Sequence, residues 1–203
     1  RYIEQVRKVS VDRKMKIGSI IMNCNPMTNG HLHLINTASA QVDLLYIFIV
    51  EEDRSFFSFQ ERIAMVKKAT EDMENIVIVP SGKFVLSYMT MPLYFEKEEK
   101  KKAVLDATDD LKIFGLYIAP ELGISVRFVG EEPIDLVTRQ YNQSMKEILP
   151  AYGVEVVEIP RFQQAGKAVS ASLVRQYLEE KRMDLIKEIV PLNVYLYICE
   201  KWS

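Results

Sequence analysis

The groups best suited to chemistry lie in one short stretch, KIGSIIMNCNPMTNGH, at Lys16–His31. An apolar run ends at Asn23, a turn with Gly30 follows, and His31 opens a segment of helical period. A strand end that leads into a helix N-terminus offers an anion unpaired backbone N–H groups and the positive end of the helix dipole. An imidazole placed there can donate a hydrogen bond to a phosphate oxygen as negative charge builds on it. The stretch therefore predicts a site that binds an anion.

The polar residues around His31 each have two interpretations. The Thr28 hydroxyl can bind the same phosphates, or it can cap the helix, and one side chain can do both. Gly30 lets the backbone approach a nucleotide closely. Asn23 and Asn25 lie on either side of the strand end, where they bind substrate or only hydrogen-bond the turn.

Three neighbouring side chains favour a plainer interpretation. His33 is two residues beyond His31, so we expect it to point to another side of the helix and to have no special role. Cys24 is expected to be a small buried filler and not a nucleophile, because no histidine is paired with it in the sequence. Arg62 is a candidate ligand for a substrate anion, with a surface ion pair as the default interpretation.

A second group of polar residues occurs in VSASLVR, residues 169–175. Ser170 and Ser172 offer hydroxyl and N–H groups at a predicted helix start, and Arg175 follows one turn after Ser172 on the same face. Together they can hold the β- and γ-phosphates of a nucleotide. The alternative is a serine-capped helix whose arginine forms a surface salt bridge.

A third group follows the strand predicted at Val126–Gly130. Gly130 and Glu131 form a glycine turn with carboxylates that can lie under an adenine and ribose, or can be an ordinary loop. Tyr141 and Asn142, on the next predicted helix, would then flank the site and contact the substrate.

Apolar, β-branched runs alternate along the chain with segments of helical period, which indicates βαβ units. The fold predicted is α/β: a doubly wound, mostly parallel five-stranded sheet with a helical C-terminal end. The predicted strands are Lys16–Asn23, Leu44–Val50, Ile76–Val79, Val126–Gly130 and Val154–Ile159. The predicted helices are His31–Ala40, the segment from Ser58 to Thr70, Ala107–Leu122 with an interruption near Pro120, Thr138–Leu149, Ser170–Lys181, Met183–Ile189 and Leu192–Cys199.

The composition bounds the class of protein. A formal net charge of −2 over 203 residues leaves no basic footprint for a nucleic acid. No apolar stretch approaches the roughly 20 residues needed to cross a bilayer, so no membrane partner is expected. Two cysteines that are far apart in the sequence suit a reduced, cytoplasmic compartment. Residues 1–15 are expected to be a polar segment, with the remnant of a preceding domain as one interpretation, and residues 16–203 a single domain.

Several stretches together resemble known families. Thr28-x-Gly30-His31 resembles the T/H-x-G-H signature of the nucleotidyltransferase superfamily, and Ser170–Arg175 resembles its I-S-S-T-x-x-R signature. With VEEDRSFFSFQERIAMV, RFVGEEP, TRQYNQSM and VEIPR, residues 16–178 are similar to the nucleotidyltransferase domain of citrate lyase ligase. The first turn and the Ser58 helix also resemble phosphopantetheine adenylyltransferase.

The resemblance implies a Rossmann-like fold and a two-step reaction that uses ATP and Mg²⁺. Acetate attacks ATP to give acetyl-adenylate, and the acetyl group passes to a prosthetic-group thiol on the acyl carrier subunit of citrate lyase. It implies that Thr28, Gly30 and His31 handle phosphates and that Ser170, Ser172 and Arg175 bind the triphosphate tail. It implies no set of metal-ligating residues. The alternatives are an adenylyl- or cytidylyltransferase acting on a phosphorylated small molecule such as phosphopantetheine, and a nucleotide-binding module without turnover.

Overall fold

A parallel sheet of five strands forms the centre of the computed structural model, which describes residues 2–6, 14–51, 55–83, 85–87, 91, 106–164 and 167–202. The strands are β1 (Ile17–Met22), β2 (Leu44–Ile49), β3 (Ile76–Pro80), β4 (Ile124–Gly130) and β5 (Glu155–Ile159). Their order in the sheet is β3-β2-β1-β4-β5, and every pairing is parallel. The chain therefore reverses its direction of travel across the sheet between β1 and β4, and this reversal creates a crevice at their carboxyl ends.

The central strands are covered on both faces, which is why they are continuously apolar in the sequence. All six residues of β2 are buried. Phe48 packs into the core on one face of the sheet, and Ile47 packs into the core on the other. The burial confirms the doubly wound α/β fold that the apolar runs predict.

The helices form a layer on each face of the sheet. One face carries α4 (Thr108–Ile113), α5 (Ala119–Leu122) and α6 (Leu136–Ile148). The other carries α2 (Asn29–Ser39), α3 (Phe59–Ala69), α7 (Ala171–Glu179), α8 (Met183–Ile189) and α9 (Leu192–Trp202). A short helix, α1 (Tyr2–Val6), packs on the first core through Val6, and the Tyr2 hydroxyl donates to the Pro80 carbonyl at 2.7 Å.

The predicted helix boundaries are close to those observed, with two differences near prolines. The expected interruption near Pro120 is a π-helical segment, Phe114–Ile118, that joins α4 to α5, with Pro120 in the first turn of α5. Pro150 does not end the chain's helical path, because a 3₁₀ turn, Leu149–Tyr152, continues from α6. Each proline follows a change in the type of helical hydrogen bonding, as expected for a residue that has no N–H to donate.

No helix of the described residues is long and apolar enough to cross a membrane.

Candidate active site

An open pocket of about 310 Å³ lies at the carboxyl edge of the sheet, where β1 and β4 diverge. Gly30 and His31 line it from the start of α2, Thr138 from the start of α6, and Ser170 and Ser172 from the start of α7. Three helix N-termini therefore border one pocket, and each brings unpaired N–H groups and a partial positive charge. This arrangement favours a ligand with several negative charges.

His31 is held by a capping box at the start of α2. The Thr28 side chain accepts a hydrogen bond from the His31 backbone N–H at 3.4 Å, and the Thr28 backbone N–H donates to His31 Nδ1 at 3.1 Å. A backbone N–H can only donate, so Nδ1 carries no proton and the neutral ring is protonated on Nε2. His31, which lines the pocket, thus has an Nε2–H group that can donate a hydrogen bond to a ligand.

The environment keeps the imidazole neutral. Burial, and then the positive charge of Arg161, lower the pKa of His31 to about 4. Near neutral pH the ring carries no charge of its own, and it acts on a ligand as a hydrogen-bond donor.

Gly30 brings backbone close to the pocket without needing glycine for its own conformation. Its φ is not positive, and a Cβ there would meet only Thr28 Oγ1 and the Val169 carbonyl, both at 3.6 Å. The space that a side chain would fill belongs to the pocket, and the close approach of a ligand to Gly30 stays a prediction.

The start of α7 brings the second serine motif to the same pocket. Ser170 is the N-cap, and its hydroxyl accepts from the Leu173 N–H at 3.2 Å. Arg175 donates to Ser172 Oγ at 3.1 Å and to the Asn25 carbonyl. Arg175 is half-buried and stands behind the pocket lining, so it joins α7 to the turn after β1. Its direct contact with a triphosphate stays a prediction.

The turn after β1 is braced from below by Arg62. This side chain is fully buried and donates to the Asn23 and Val50 carbonyls at 3.0 and 2.7 Å and to Asn23 Oδ1 at 2.8 Å. A surface ion pair for Arg62 is therefore wrong. Contact between Arg62 and a substrate anion stays a prediction, although the guanidinium has no exposed surface and is bonded to backbone carbonyls. Asn25 also supports the turn, since its Oδ1 accepts from the Phe57 N–H at 3.0 Å.

Cys24, between the two asparagines, is fully buried, and burial raises the pKa of its thiol well above the ordinary value. The interpretation of Cys24 as a buried filler is confirmed.

Arg161 places a cation at the pocket, and the motifs in the sequence did not single it out. It lies just after β5 and pairs with Glu132 at 2.7 Å, while its backbone N–H donates to Glu131 at 3.2 Å. Glu132 also accepts from the backbone N–H groups of Ile134 and Asp135, so its carboxylate hydrogen-bonds to the loop after Gly130 as well as to Arg161. The signal that could have found Arg161 is its position directly after a predicted strand, in the stretch VEIPR.

Two residues expected to contact substrate instead support the pocket from within the core. Tyr141 is buried, and its hydroxyl donates to Asp110 at 2.6 Å. Asn142 is also buried, and its amide donates to the Gly130 carbonyl at 2.9 Å, which fixes the turn under the pocket. Substrate contact by either residue stays a prediction, and the structure shows both side chains buried and hydrogen-bonded within the protein. Thr138, one turn earlier on α6, reaches the pocket in their place.

His33 does line the pocket, against the expectation of another side of the helix. Its ring packs against Phe162, with centroids 5.3 Å apart and planes at 34°. The expectation failed because the pocket wraps the first turn of α2, so residues two apart both border it. Together the two rings form an aromatic wall of the pocket.

The described residues contain no group of three or more His, Cys, Asp or Glu side chains that could hold a metal ion.

Residues 17–198 match the family model of the citrate lyase ligase C-terminal domain. The chain belongs to this family. It is 40% identical over 203 residues to the citrate (pro-3S)-lyase ligase of Escherichia coli, covering 98% of this chain and 57% of that protein. It is also 40% identical over 196 residues to the enzyme of the same name from Haemophilus influenzae, covering 94% and 58%. The chain thus spans a little over half the length of these curated relatives.

Solved structures share the fold of this chain. Pantoate-beta-alanine ligase from Francisella tularensis, complexed with beta-gamma ATP and beta-alanine, aligns with a TM-score of 0.54 at 15% identity, over 88% of this chain and 74% of that one. At this identity the likeness concerns the fold alone.

Proposed function

We propose that this chain adenylates acetate with ATP and transfers the acetyl group to the prosthetic-group thiol of the citrate lyase acyl carrier subunit. The observation that carries the nucleotide part is the pocket, where three helix N-termini, a neutral imidazole donor and Arg161 face one cavity. Family membership and the ligase names of the curated relatives support the choice of acetate and carrier.

In the first step a carboxylate oxygen of acetate attacks the α-phosphorus of ATP. The bond from that phosphorus to the β-bridging oxygen breaks, and pyrophosphate leaves. In the second step the carrier's thiol sulfur attacks the acetyl carbonyl carbon, AMP leaves, and the thiol proton goes to solvent or to the AMP phosphate. A thioester and AMP are the products.

The protein's part in the first step is to position the phosphates and to stabilise their growing charge. We propose that His31 Nε2–H donates to an α- or β-phosphate oxygen and that the N–H groups around Gly30 contact the same phosphates. The start of α7, with Ser170 and Ser172, then binds the β- and γ-phosphates. Arg161 exchanges Glu132 for a phosphate oxygen, since a guanidinium pairs with a phosphate as it does with a carboxylate.

Gly130, the last residue of β4, and Glu131, the first residue of the loop that follows, are proposed to lie against the ribose and adenine. The wall formed by His33 and Phe162 is available to an aromatic base. Magnesium, which the family resemblance implies, would enter the pocket bound to ATP, since the described residues contain no group of three or more His, Cys, Asp or Glu side chains to hold it.

The test is pyrophosphate–ATP exchange, run with acetate, with phosphopantetheine and with neither. We expect exchange with acetate and not with phosphopantetheine or without either. Label passes from pyrophosphate into ATP only when the first step runs in both directions, and that step needs the acetate carboxylate as the nucleophile. Exchange only with phosphopantetheine would overturn the proposal in favour of an adenylyltransferase. ATP binding with no exchange under any condition would overturn it in favour of a binding module.

A further inference from the structure

The N-cap of α2 hydrogen-bonds to the catalytic ring as well as to its helix. Thr28 Oγ1 lies 2.9 Å from His31 Nδ1, and the Thr28 backbone N–H donates to the same nitrogen at 3.1 Å. Because Oγ1 accepts from the His31 backbone N–H, the hydroxyl proton is available for Nδ1. Two donors from one residue therefore converge on a single ring nitrogen.

The Thr28 side chain has little capacity left for a ligand. It is 1% exposed, and its hydroxyl both accepts from and donates to His31. The other N-cap at the pocket differs: Ser170 Oγ accepts from the Leu173 N–H, and the third residue of that helix has no ring to take the hydroxyl proton. Of these two caps, Ser170 is thus the one suited to bind a phosphate.

We propose that Thr28 is a positioning residue that holds His31 as the Nε2–H tautomer and directs that N–H to a nucleotide phosphate. The Nδ1–H tautomer would bring the ring N–H against the Thr28 N–H, and a charged ring would do the same. The phosphate contact rests on the proposed function, whereas the tautomer is a property of the free protein.

The test is ¹⁵N NMR of the histidine rings in nucleotide-free protein, combined with kinetics of three variants. The chain has only two histidines, so His31→Gln assigns the signals. Thr28→Val removes the hydroxyl and keeps the shape, and Thr28→Ser restores it. Thr37→Val makes the same change on α2 at a position that does not line the pocket.

We expect wild-type His31 to show a protonated Nε2 and a bare Nδ1 at pH 7. Thr28→Val should raise the pKa of His31 by about 0.5–1 unit, since one hydrogen bond to the neutral ring is lost. It should lower kcat of acetate-dependent exchange about tenfold with little change in the KM for ATP. Thr28→Ser should return both values, and Thr37→Val should match the wild type.

A protonated Nδ1 in the wild-type protein would overturn the inference without the need for any variant. A Thr28→Val protein with lowered kcat but unchanged His31 signals would also overturn it, because Thr28 would then act on the phosphates directly. Absence of acetate-dependent exchange in a wild-type protein with the expected tautomer would instead contradict the proposed function and leave the tautomer assignment standing.

Discussion

Replacing Gly30 with alanine should affect the stability of the protein and its affinity for ATP differently. The added methyl group would meet Thr28 Oγ1 and the Val169 carbonyl at 3.6 Å, which is ordinary contact, and the backbone there is helical. Alanine is favoured over glycine by roughly 0.5–1 kcal/mol within a helix. We therefore expect the free energy of unfolding to be unchanged or slightly raised.

The same methyl group would occupy the space in which a phosphate approaches the first N–H groups of α2. Loss of one hydrogen bond to a charged group costs about 1.5–3 kcal/mol, so we expect ATP to bind about 10- to 150-fold more weakly. Isothermal titration calorimetry gives the Kd for ATP, and urea denaturation gives the stability.

Gly153→Ala is the control for this experiment. Gly153 has a φ of 73°, an added Cβ there would have nothing within 4 Å, and the residue precedes β5 at the amino edge of the sheet. Alanine there should cost about 1–2 kcal/mol through left-handed strain and leave the Kd for ATP unchanged. Wild-type ATP affinity in Gly30→Ala, or a stability loss as large as that of Gly153→Ala, would refute the reasoning.

Four more changes test other parts of the site. His31→Asn should lower the rate of acetate-dependent exchange by roughly 10²-fold or more. His31→Gln should lower it by less, because the glutamine amide N–H can reach the position of Nε2. Equal rates in the two variants would contradict hydrogen-bond donation by Nε2. The pKa of His31 is about 4 in the folded protein, which is below its value of about 6.5 in the unfolded chain. Between pH 4 and pH 6.5, unfolding therefore takes up a proton, and the free energy of unfolding rises with pH up to about 6.5. Urea denaturation at pH 4.5 and 6.5 should show a shallower rise in His31→Gln, and an unchanged slope would count against the assignment. Arg161→Gln removes a positive charge, so it should raise the pKa of His31, measured by NMR titration, and weaken ATP binding about tenfold or more. No change in either quantity would show that Arg161 does not act at the site. Arg62→Met should lower the free energy of unfolding by about 2–4 kcal/mol because buried carbonyl groups lose their hydrogen-bond donor. A raised KM for acetate at unchanged stability would instead show that Arg62 is a substrate ligand.

Patterns local in the sequence predicted most of the fold. The run at Leu44–Val50 predicted a strand covered on both faces, and β2 ends one residue earlier, at Ile49. The Ser58–Glu61 pair predicted the start of α3, and the structure has both hydrogen bonds of that capping box. Such signals work because each depends on residues within one turn or one strand.

The side-chain positions that local patterns did not predict depend on partners that are distant in the sequence. Arg62 is buried because it reaches carbonyl groups at the ends of two strands, 39 and 12 residues away. Tyr141 turns inward because Asp110 accepts its hydroxyl across 31 residues. The Arg161 guanidinium, after β5, pairs with Glu132, which lies on the loop after β4. No spacing within a single element carries this information, so only the assembled sheet reveals it.

Acetate labelled with ¹⁸O in its carboxylate tests the central claim, attack by acetate on the α-phosphorus of ATP. Hydroxylamine is added to capture the acetyl group, and the nucleotide and phosphate products are analysed by mass spectrometry. The account predicts one ¹⁸O atom in AMP and none in inorganic phosphate or pyrophosphate, because the bond from acetate oxygen to α-phosphorus survives acyl transfer. Label in inorganic phosphate with ADP as the co-product, or AMP without label, would contradict it.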